Sequence, residues 1–190
     1  MKPVYVKKTK AELTHFVCIL DDDNEKLSAE VKFDNDIKKV APKAFMNASG
    51  IHKVFFGDKL KTIKTESFKD CENLKVFCCG EVKDKFDFPI AGVQIPYLGT
   101  RKSKFTIESF AFSKCKNLNT VILPDCDELV IEKDAFDGCS SLRTVVCFAE
   151  KIDFTGNPFE SCPDTLTFVG KKKSLLERFA RENGYRFIDE

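Results

Sequence analysis

Hydrophobic positions along this chain recur at a fixed spacing in five separate segments. Each segment begins with an apolar residue, numbered zero here, followed by Phe at +5, a small residue at +8 and Val or Phe at +14. The small residue is Cys in all segments except the first, which has Ala48, and position +11 is Leu or Ile in all except the last. A repeat of this kind predicts similar structural units stacked on one another. The segments begin at Val40, Ile63, Ile107, Ile131 and Phe154.

The spacing of the +5 phenylalanines predicts one further, degenerate unit. These residues are Phe45, Phe68, Phe112, Phe136 and Phe159. Successive spacings are 23, 44, 24 and 23 residues, and 44 is two periods of 22. We therefore expect about six repeats over residues 37–170, with an irregular one near 80–103. Counting from Ile63 places it at Phe86, with Ala91, Gln94 and Tyr97 at +5, +8 and +11.

Within each unit the pattern predicts one strand and one short helical segment. Segments that are β-prone and apolar at +11, +14 and +16 indicate strands. Two stretches with an acid near the start, Glu108–Lys114 and Glu132–Gly138, predict about two helical turns each. Stacking would align the +5 rings in a ladder and place the +8 cysteines in tight packing as small apolar residues. The predicted strands are Leu74–Cys79, Leu118–Leu123 and Leu142–Cys147.

Both ends of the array carry a predicted cap, because an open stack would leave unpaired strand edges. Residues 171–190 contain a capping box, Ser174-x-x-Glu177, then a helix ending near Gly184 and a strand at Tyr185–Ile188. Residues 1–36 form the predicted N-terminal cap, with strands at Thr14–Leu20 and Ala29–Phe33 around an acidic hairpin tip, Asp21–Asn24. Residues 1–190 are thus interpreted as one domain.

The pattern I-x4-F-x2-C-x2-L-x2-V resembles the leucine-rich repeats of the BspA type, which occur in bacterial surface proteins and protozoan paralogues. The resemblance covers roughly residues 37–190. It implies an α/β leucine-rich repeat solenoid with a curved parallel β-sheet on its concave side. Short helices, loops or second strands would form the convex side, and a helix and strand would close the C-terminal end. It also implies that partners bind to the concave sheet.

Composition narrows the possible environments and partners. The chain has 190 residues, with 31 Lys+Arg and 30 Asp+Glu. Its net charge of +1 does not create the positive electrostatic field that attracts nucleic acid. No apolar stretch approaches a membrane span or a signal core. Nine cysteines cannot all pair with one another, and we expect free thiols in the cytoplasm. A chain trimmed of its signal would look the same, so a cell-surface protein is the alternative. A monomer or weak oligomer is expected.

The sequence shows no catalytic, cofactor or metal motif, and the protein is predicted not to be an enzyme. Neither histidine, His15 or His52, belongs to a motif. Adjacent Cys78 and Cys79 point to opposite sides of a strand, so they cannot readily clamp one zinc ion. The acidic run that begins at Asp21 lacks the glycine and the final carboxylate of a calcium loop.

The strand alternation predicts a binding surface. Because +14 and +16 face the core, +13 and +15 face outwards. The +15 positions form an apolar column, which as an exposed patch would mark an interaction site. The same residues are also good strand formers, so both interpretations stay open. The predicted +15 column is Phe55, Cys78, Arg101, Ile122, Val146 and Val169, and the +13 column is Lys53, Val76, Gly99, Thr120, Thr144 and Thr167.

A short motif adds a named candidate partner. Lys53-Val54-Phe55-Phe56 matches the K-V-x-F docking sequence of regulators of type 1 protein phosphatases. In those regulators an extended peptide adds to the enzyme as a strand. The match conflicts with the repeat register, which places Val54 and Phe56 in the core.

Three classes of function therefore compete. The leading hypothesis is a non-catalytic protein-interaction scaffold that binds a partner through the concave sheet, with regulation of a phosphatase catalytic subunit as its sharper form. The second is a secreted or cell-surface adhesion module. The third is a thiol-redox enzyme or sensor, for which Cys78-Cys79 and an exposed Cys78 are the motive.

Overall fold

A computed structural model describes residues 4–8, 12–19, 29–33, 36–80 and 101–189, and shows that they form a parallel β-solenoid. Each level of the solenoid, called a rung here, contributes strands to two sheets. The strands are β1 (Val4–Lys8), β2 (Glu12–Ile19), β3 (Ala29–Lys32), β4 (Lys39–Val40), β5 (Ile51–Phe56), β6 (Thr62–Ile63), β7 (Val76–Cys79), β8 (Arg101–Ile107), β9 (Thr120–Ile122), β10 (Cys126–Ile131), β11 (Thr144–Val146), β12 (Lys151–Phe154), β13 (Thr167–Gly170) and β14 (Arg186–Asp189). Helix α1 is Leu175–Glu182.

Two seven-stranded sheets face each other across the core. Sheet 1 has the order β1-β2-β4-β6-β8-β10-β12, and sheet 2 has the order β3-β5-β7-β9-β11-β13-β14. Every pairing is parallel except that of β1 with β2. The predicted solenoid with a parallel sheet is confirmed, and sheet 1 supplies a second row of strands.

The +5 phenylalanines form the predicted aromatic ladder along the core. Consecutive rings stack nearly parallel, with centroids 4.6 Å apart for Phe45–Phe68 and 4.9 Å apart for Phe136–Phe159. Phe112, in the middle, lies 5.1 Å from the rings on both sides. All five rings are buried. Burial of these rings, with the additional ring contacts, ties each rung to the next.

The +8 cysteines form a second ladder, and it is more polar than the sequence indicates. The thiol of Cys71 donates to the carbonyl of Phe45 at 2.9 Å, and the thiol of Cys115 donates to that of Phe68 at 3.0 Å. Cys139 repeats the contact with the carbonyl of Phe112 at 3.2 Å. Each thiol therefore joins its own rung to the ladder phenylalanine of the previous rung.

The predicted degenerate unit does not form a rung of its own between β7 and β9, because these two strands pair directly with each other. Cys78 stands opposite Ile122, and the ring of Phe68 stacks on that of Phe112 without an intervening level. In sheet 1, β6 pairs directly with β8. The long spacing is therefore an insertion within one rung. Arg101 begins β8 in sheet 1, and the other residues assigned to the degenerate unit, Phe86, Ala91, Gln94, Tyr97 and Gly99, lie outside the described residues.

The two predicted helical segments are consecutive turns and not helices. Phe110 and Lys114 have left-handed backbones, with φ of 58° and 59°, and Asp134 and Gly138 occupy the same positions in the next rung. Each segment sends a backbone donor to the neighbouring rung, such as Phe112 N–H to the Ala135 carbonyl at 2.8 Å. Bonds between rungs alternate with bonds inside the turns, such as Ser113 N–H to the Phe110 carbonyl at 3.1 Å, in place of the continuous i to i−4 bonds of an α-helix.

The C-terminal cap is confirmed. The Ser174 hydroxyl accepts from the Glu177 N–H at 3.3 Å, and the Glu177 carboxylate accepts from the Lys173 N–H at 2.6 Å. These bonds satisfy two donors at the start of α1. The helix buries Leu176 and Ala180, and Gly184, with φ of 75°, leads the chain back into β14.

The predicted N-terminal hairpin is wrong. Strands β2 and β3 do not pair with each other, since β2 lies between β1 and β4 in sheet 1, whereas β3 pairs with β5 in sheet 2. Each of them opens one of the two sheets. The acidic segment Asp21–Asn24 lies outside the described residues.

Candidate functional site

The predicted +15 column exists as a continuous row on the outer face of sheet 2. Register pairs join Phe55 to Cys78, Cys78 to Ile122, Ile122 to Val146 and Val146 to Val169. The row then continues to Ile188 in β14. It forms an apolar cluster of its own, separate from the core between the sheets. We call it the outer column.

The middle of the outer column is buried, so its predicted exposure is wrong. Cys78 and Ile122 are each 1% exposed, and Val146 and Val169 are 0% exposed. Strands in a sheet lie about 4.8 Å apart, so each side chain abuts those of the rungs on both sides. Phe148 also packs against the cluster. Alternation predicts which side of a sheet a residue occupies, but not whether the chain covers that side.

The +13 column is also mostly buried. Val76, Thr120 and Thr144 are buried, with 8%, 1% and 3% of their surface exposed. Thr167 is half-buried and Lys53 is exposed. Arg101, which was assigned to this face, lies in sheet 1 beside Cys126 of β10. The expected site residues are thus brought together in register, except Arg101, but most of them are inaccessible.

One accessible part of this face lies at its N-terminal end. Phe55 is half-buried, and the Lys32 ammonium stands 5.5 Å from the centre of its ring. Glu30 forms ion pairs with both Lys32, at 3.4 Å, and Lys53, at 3.6 Å. An aromatic ring bordered by exposed charged side chains has the apolar centre and polar rim that protein interfaces show. We call Glu30, Lys32, Lys53 and Phe55 the N-terminal patch. Glu30 and Lys32 were missed, since the repeat pattern does not extend to β3.

The phosphatase-type motif is part of the core packing. Val54 is 0% exposed and Phe56 is 2% exposed. The ring of Phe56 stacks on Phe33 at 4.8 Å. The backbone of β5 is hydrogen-bonded on both sides, to β3 and to β7. Docking of this segment as an added strand would require β5 to leave the sheet.

The thiol of Cys78, the expected redox candidate, is buried and not activated. Burial raises the pKa of Cys78 to about 12, and burial likewise raises that of Cys147 to about 12. A reactive thiol needs the opposite change, a lowered pKa near a cation or a helix start. The expected exposure of Cys78 is therefore wrong, and the motive for a redox role is removed. Buried free thiols are found at Cys71, Cys78, Cys115, Cys139, Cys147 and Cys162.

Other chemical groups give no further site within the described part of the chain. No cluster of His, Cys, Asp or Glu with metal-binding geometry occurs there. A hollow of about 620 Å³ beside the cap contains Arg181 and Arg178, which form ion pairs with Glu177 and Glu182. No helix of the described residues has the length and apolar character to cross a membrane.

The repeated geometry agrees with the comparison to protein families. The model of the BspA type leucine-rich repeat region matches residues 23–85 and 91–176, with six copies. The chain belongs to this family. A search of curated proteins finds no significant relative of this BspA-type repeat protein.

A solved structure shows the same fold. The pneumococcal vaccine antigen PcpA is similar with a TM-score of 0.59 and 19% identity, over 98% of this chain and 46% of PcpA. This BspA-type chain thus spans about half of that structure. A leucine-rich repeat protein of T. pallidum gives a TM-score of 0.43 and 16% identity, over 97% of this chain and 95% of its own. At these identities the likeness to PcpA concerns the fold alone.

Proposed function

We propose that the protein is a non-catalytic scaffold that binds another protein. Membership of the BspA-type repeat family and the solenoid built from stacked ladders support this role. The observation that carries the proposal is the N-terminal patch, where the otherwise buried outer column ends in the half-buried ring of Phe55 among Glu30, Lys32 and Lys53. A partner that covers this ring would complete the burial of the column.

The test is affinity capture with variants of one exposed ring at a time. Phe55→Ser removes the ring from the patch, and Phe110→Ser removes an exposed ring, 39% accessible, from a turn elsewhere. We expect a partner captured by the wild type and by Phe110→Ser to be lost with Phe55→Ser. Ile122→Ser and Val146→Ser show how a variant behaves when its fold is disturbed, because these side chains are buried and cannot contact a partner. Equal capture by all folded variants would contradict the assignment of this patch.

Regulation of a type 1 protein phosphatase stays a more specific hypothesis. The packing does not favour it, since Val54 and Phe56 would have to leave the core before they could enter pockets on an enzyme. A direct measurement is binding of the purified catalytic subunit to the wild type and to Val54→Ala/Phe56→Ala. Loss of binding with an intact circular dichroism spectrum would support the hypothesis. Retained binding would reject it.

For the compartment we propose the cytoplasm. Buried, unpaired thiols at Cys71, Cys115 and Cys139 support it, because reducing compartments keep thiols in this form. The alternative is an adhesion module at the cell surface. Cell fractionation with alkylation before lysis distinguishes the two. Export of the product together with binding to glycans or matrix proteins would overturn the cytoplasmic proposal.

A further inference from the structure

The last strand of sheet 2 in the described residues, β14, has an unpaired outer side. It pairs with β13 on one side, and no strand of the described residues pairs with its other side. Helix α1 packs against β12 of sheet 1, where Phe179 contacts Phe154 with ring centroids 4.2 Å apart, and it also contacts β13 and β14. The backbone edge of β14 therefore has no partner strand within the described residues.

The backbone groups of this edge point outwards in a defined order. The Arg186 N–H donates to the Leu166 carbonyl at 3.3 Å, towards β13. Bonds alternate along a parallel ladder, so the N–H groups of Phe187 and Asp189 point away from β13. Unpaired groups in a row are a template for an added strand.

The side chains of β14 continue two columns that are fully buried in β13. Phe187 and Ile188 are half-buried, whereas their neighbours in β13, Phe168 and Val169, are 0% exposed. Both columns therefore end partly uncovered at β14. An additional strand with an apolar residue beside Phe187 would complete the core column, as Val31 of β3 does at the other end of the sheet.

The charges around the edge indicate what the added strand should carry. Arg186 is exposed, and no described carboxylate pairs with it. Lys172 is close to the edge and pairs with Asp189 at 3.3 Å. At the opposite end of sheet 2 the chain uses β3, where Glu30 stands opposite Lys53 and pairs with it at 3.6 Å. Glu30 and Arg186 occupy the same column, so a glutamate would fit beside Arg186.

We propose that the outer edge of β14 binds an extended segment of a partner protein as an added parallel strand, with an acidic residue beside Arg186 followed by an apolar residue. The proposal rests on the proposed scaffold function and names the chemistry of one partner segment. A whole second copy fits less well. Its β1 lies at the start of sheet 1, so head-to-tail stacking would bring β1 against α1.

The edge charges have a second interpretation, since charged residues on an edge strand protect proteins from unwanted pairing.

The test uses NMR titration of the whole chain with a probe peptide, acetyl-Ala-Glu-Val-Lys-Phe-amide, which copies residues 29–33. We expect saturable shifts confined to the amides of β13 and β14. Charge reversal, Arg186→Glu, should weaken binding about fivefold, the range of one exposed ion pair. A peptide with lysine in place of glutamate should recover it.

Backbone methylation supplies the matched control. The Phe33 N–H donates to the Phe55 carbonyl, so in β3 the N–H groups of Val31 and Phe33 face β5 and those of Glu30 and Lys32 face outwards. Methylation of the peptide nitrogen equivalent to Lys32 should abolish binding, and methylation of that equivalent to Val31 should not. On the protein, Asp189→Pro removes an outward N–H, and Asp189→Asn keeps it.

Several outcomes would overturn the proposal. These are the absence of saturable shifts, shifts outside β13 and β14, or equal binding of the two methylated peptides. Self-association that is lost in Arg186→Glu, measured by sedimentation, would show that the edge serves a second copy. None of these results affects the capture experiment with Phe55→Ser, so failure of the edge site and failure of the scaffold function are distinguishable.

Discussion

Energetic coupling between Phe68 and Phe112 is a direct test of the solenoid, because these rings are 44 positions apart in sequence and adjacent in space. Their centroids are 5.1 Å apart with an interplanar angle of 3°. Phe112 and Phe136 have nearly the same geometry, at 5.1 Å and 2°. A sixth rung between Phe68 and Phe112 would separate the first pair and leave the second in contact.

The perturbation is replacement of each ring by leucine, which removes aromatic stacking but keeps an apolar side chain. A contacting aromatic pair contributes about 0.5–1.5 kcal/mol beyond its buried area. Contacting residues show interaction energies of about 0.5–3 kcal/mol, whereas distant ones add within about 0.5 kcal/mol. We therefore expect about 1 kcal/mol of coupling for Phe68–Phe112 and for Phe112–Phe136. Phe68 and Phe136, which stand on opposite sides of Phe112, should be additive.

The assay is urea unfolding of the wild type, the three single variants and the three double variants, followed by circular dichroism. The slopes of the transitions should stay constant, because a changed slope would indicate partial unfolding within the array. Additivity of Phe68→Leu and Phe112→Leu, together with coupling of Phe112→Leu and Phe136→Leu, would refute the direct stacking. Equal coupling in all three pairs would refute the assignment of the coupling to ring contact.

Three further predictions concern the bonds between rungs and the cap. Gly170→Ala should destabilise the fold by about 1–3 kcal/mol in urea unfolding. The reason is that a Cβ at this position would lie 2.5 Å from the Cys147 carbonyl oxygen. A variant as stable as the wild type would contradict this. Glu108→Ala should lower the free energy of unfolding by about 1–3 kcal/mol, since the Glu108 carboxylate accepts from the Thr65 N–H at 2.9 Å. The control is Glu128→Ala, which removes only an exposed ion pair with Lys104 and should cost less. Stability should fall as pH rises from about 9 towards 12, because unfolded thiols ionise near pH 8.5 and burial raises the pKa of Cys78 to about 12. Urea midpoints at pH 7 and 10 test this, and Cys78→Ala should reduce the difference.

The sequence predicts the ladders well, because Phe112 and Phe136 repeat in both residue type and spacing. Spacing alone cannot distinguish a degenerate rung from an insertion within one rung, since both preserve the period. The turns escape prediction for another reason. Left-handed positions usually carry Gly, but here they carry Phe110 and Lys114, so the expected marker is absent. The burial of Ile122 on the outer face could not be predicted either, because it depends on side chains that are remote in sequence.

The second ladder explains why position +8 is cysteine in four repeats. Each thiol donates to the carbonyl of the ladder phenylalanine in the previous rung, and Cys162 contacts that of Phe136 at 3.6 Å. Ala48 belongs to the first repeat, and within the described residues no ladder phenylalanine precedes Phe45. The four cysteines therefore have a structural role, because each thiol forms a hydrogen bond between neighbouring rungs. In this repeat, cysteine at position +8 indicates contact between rungs and not redox chemistry.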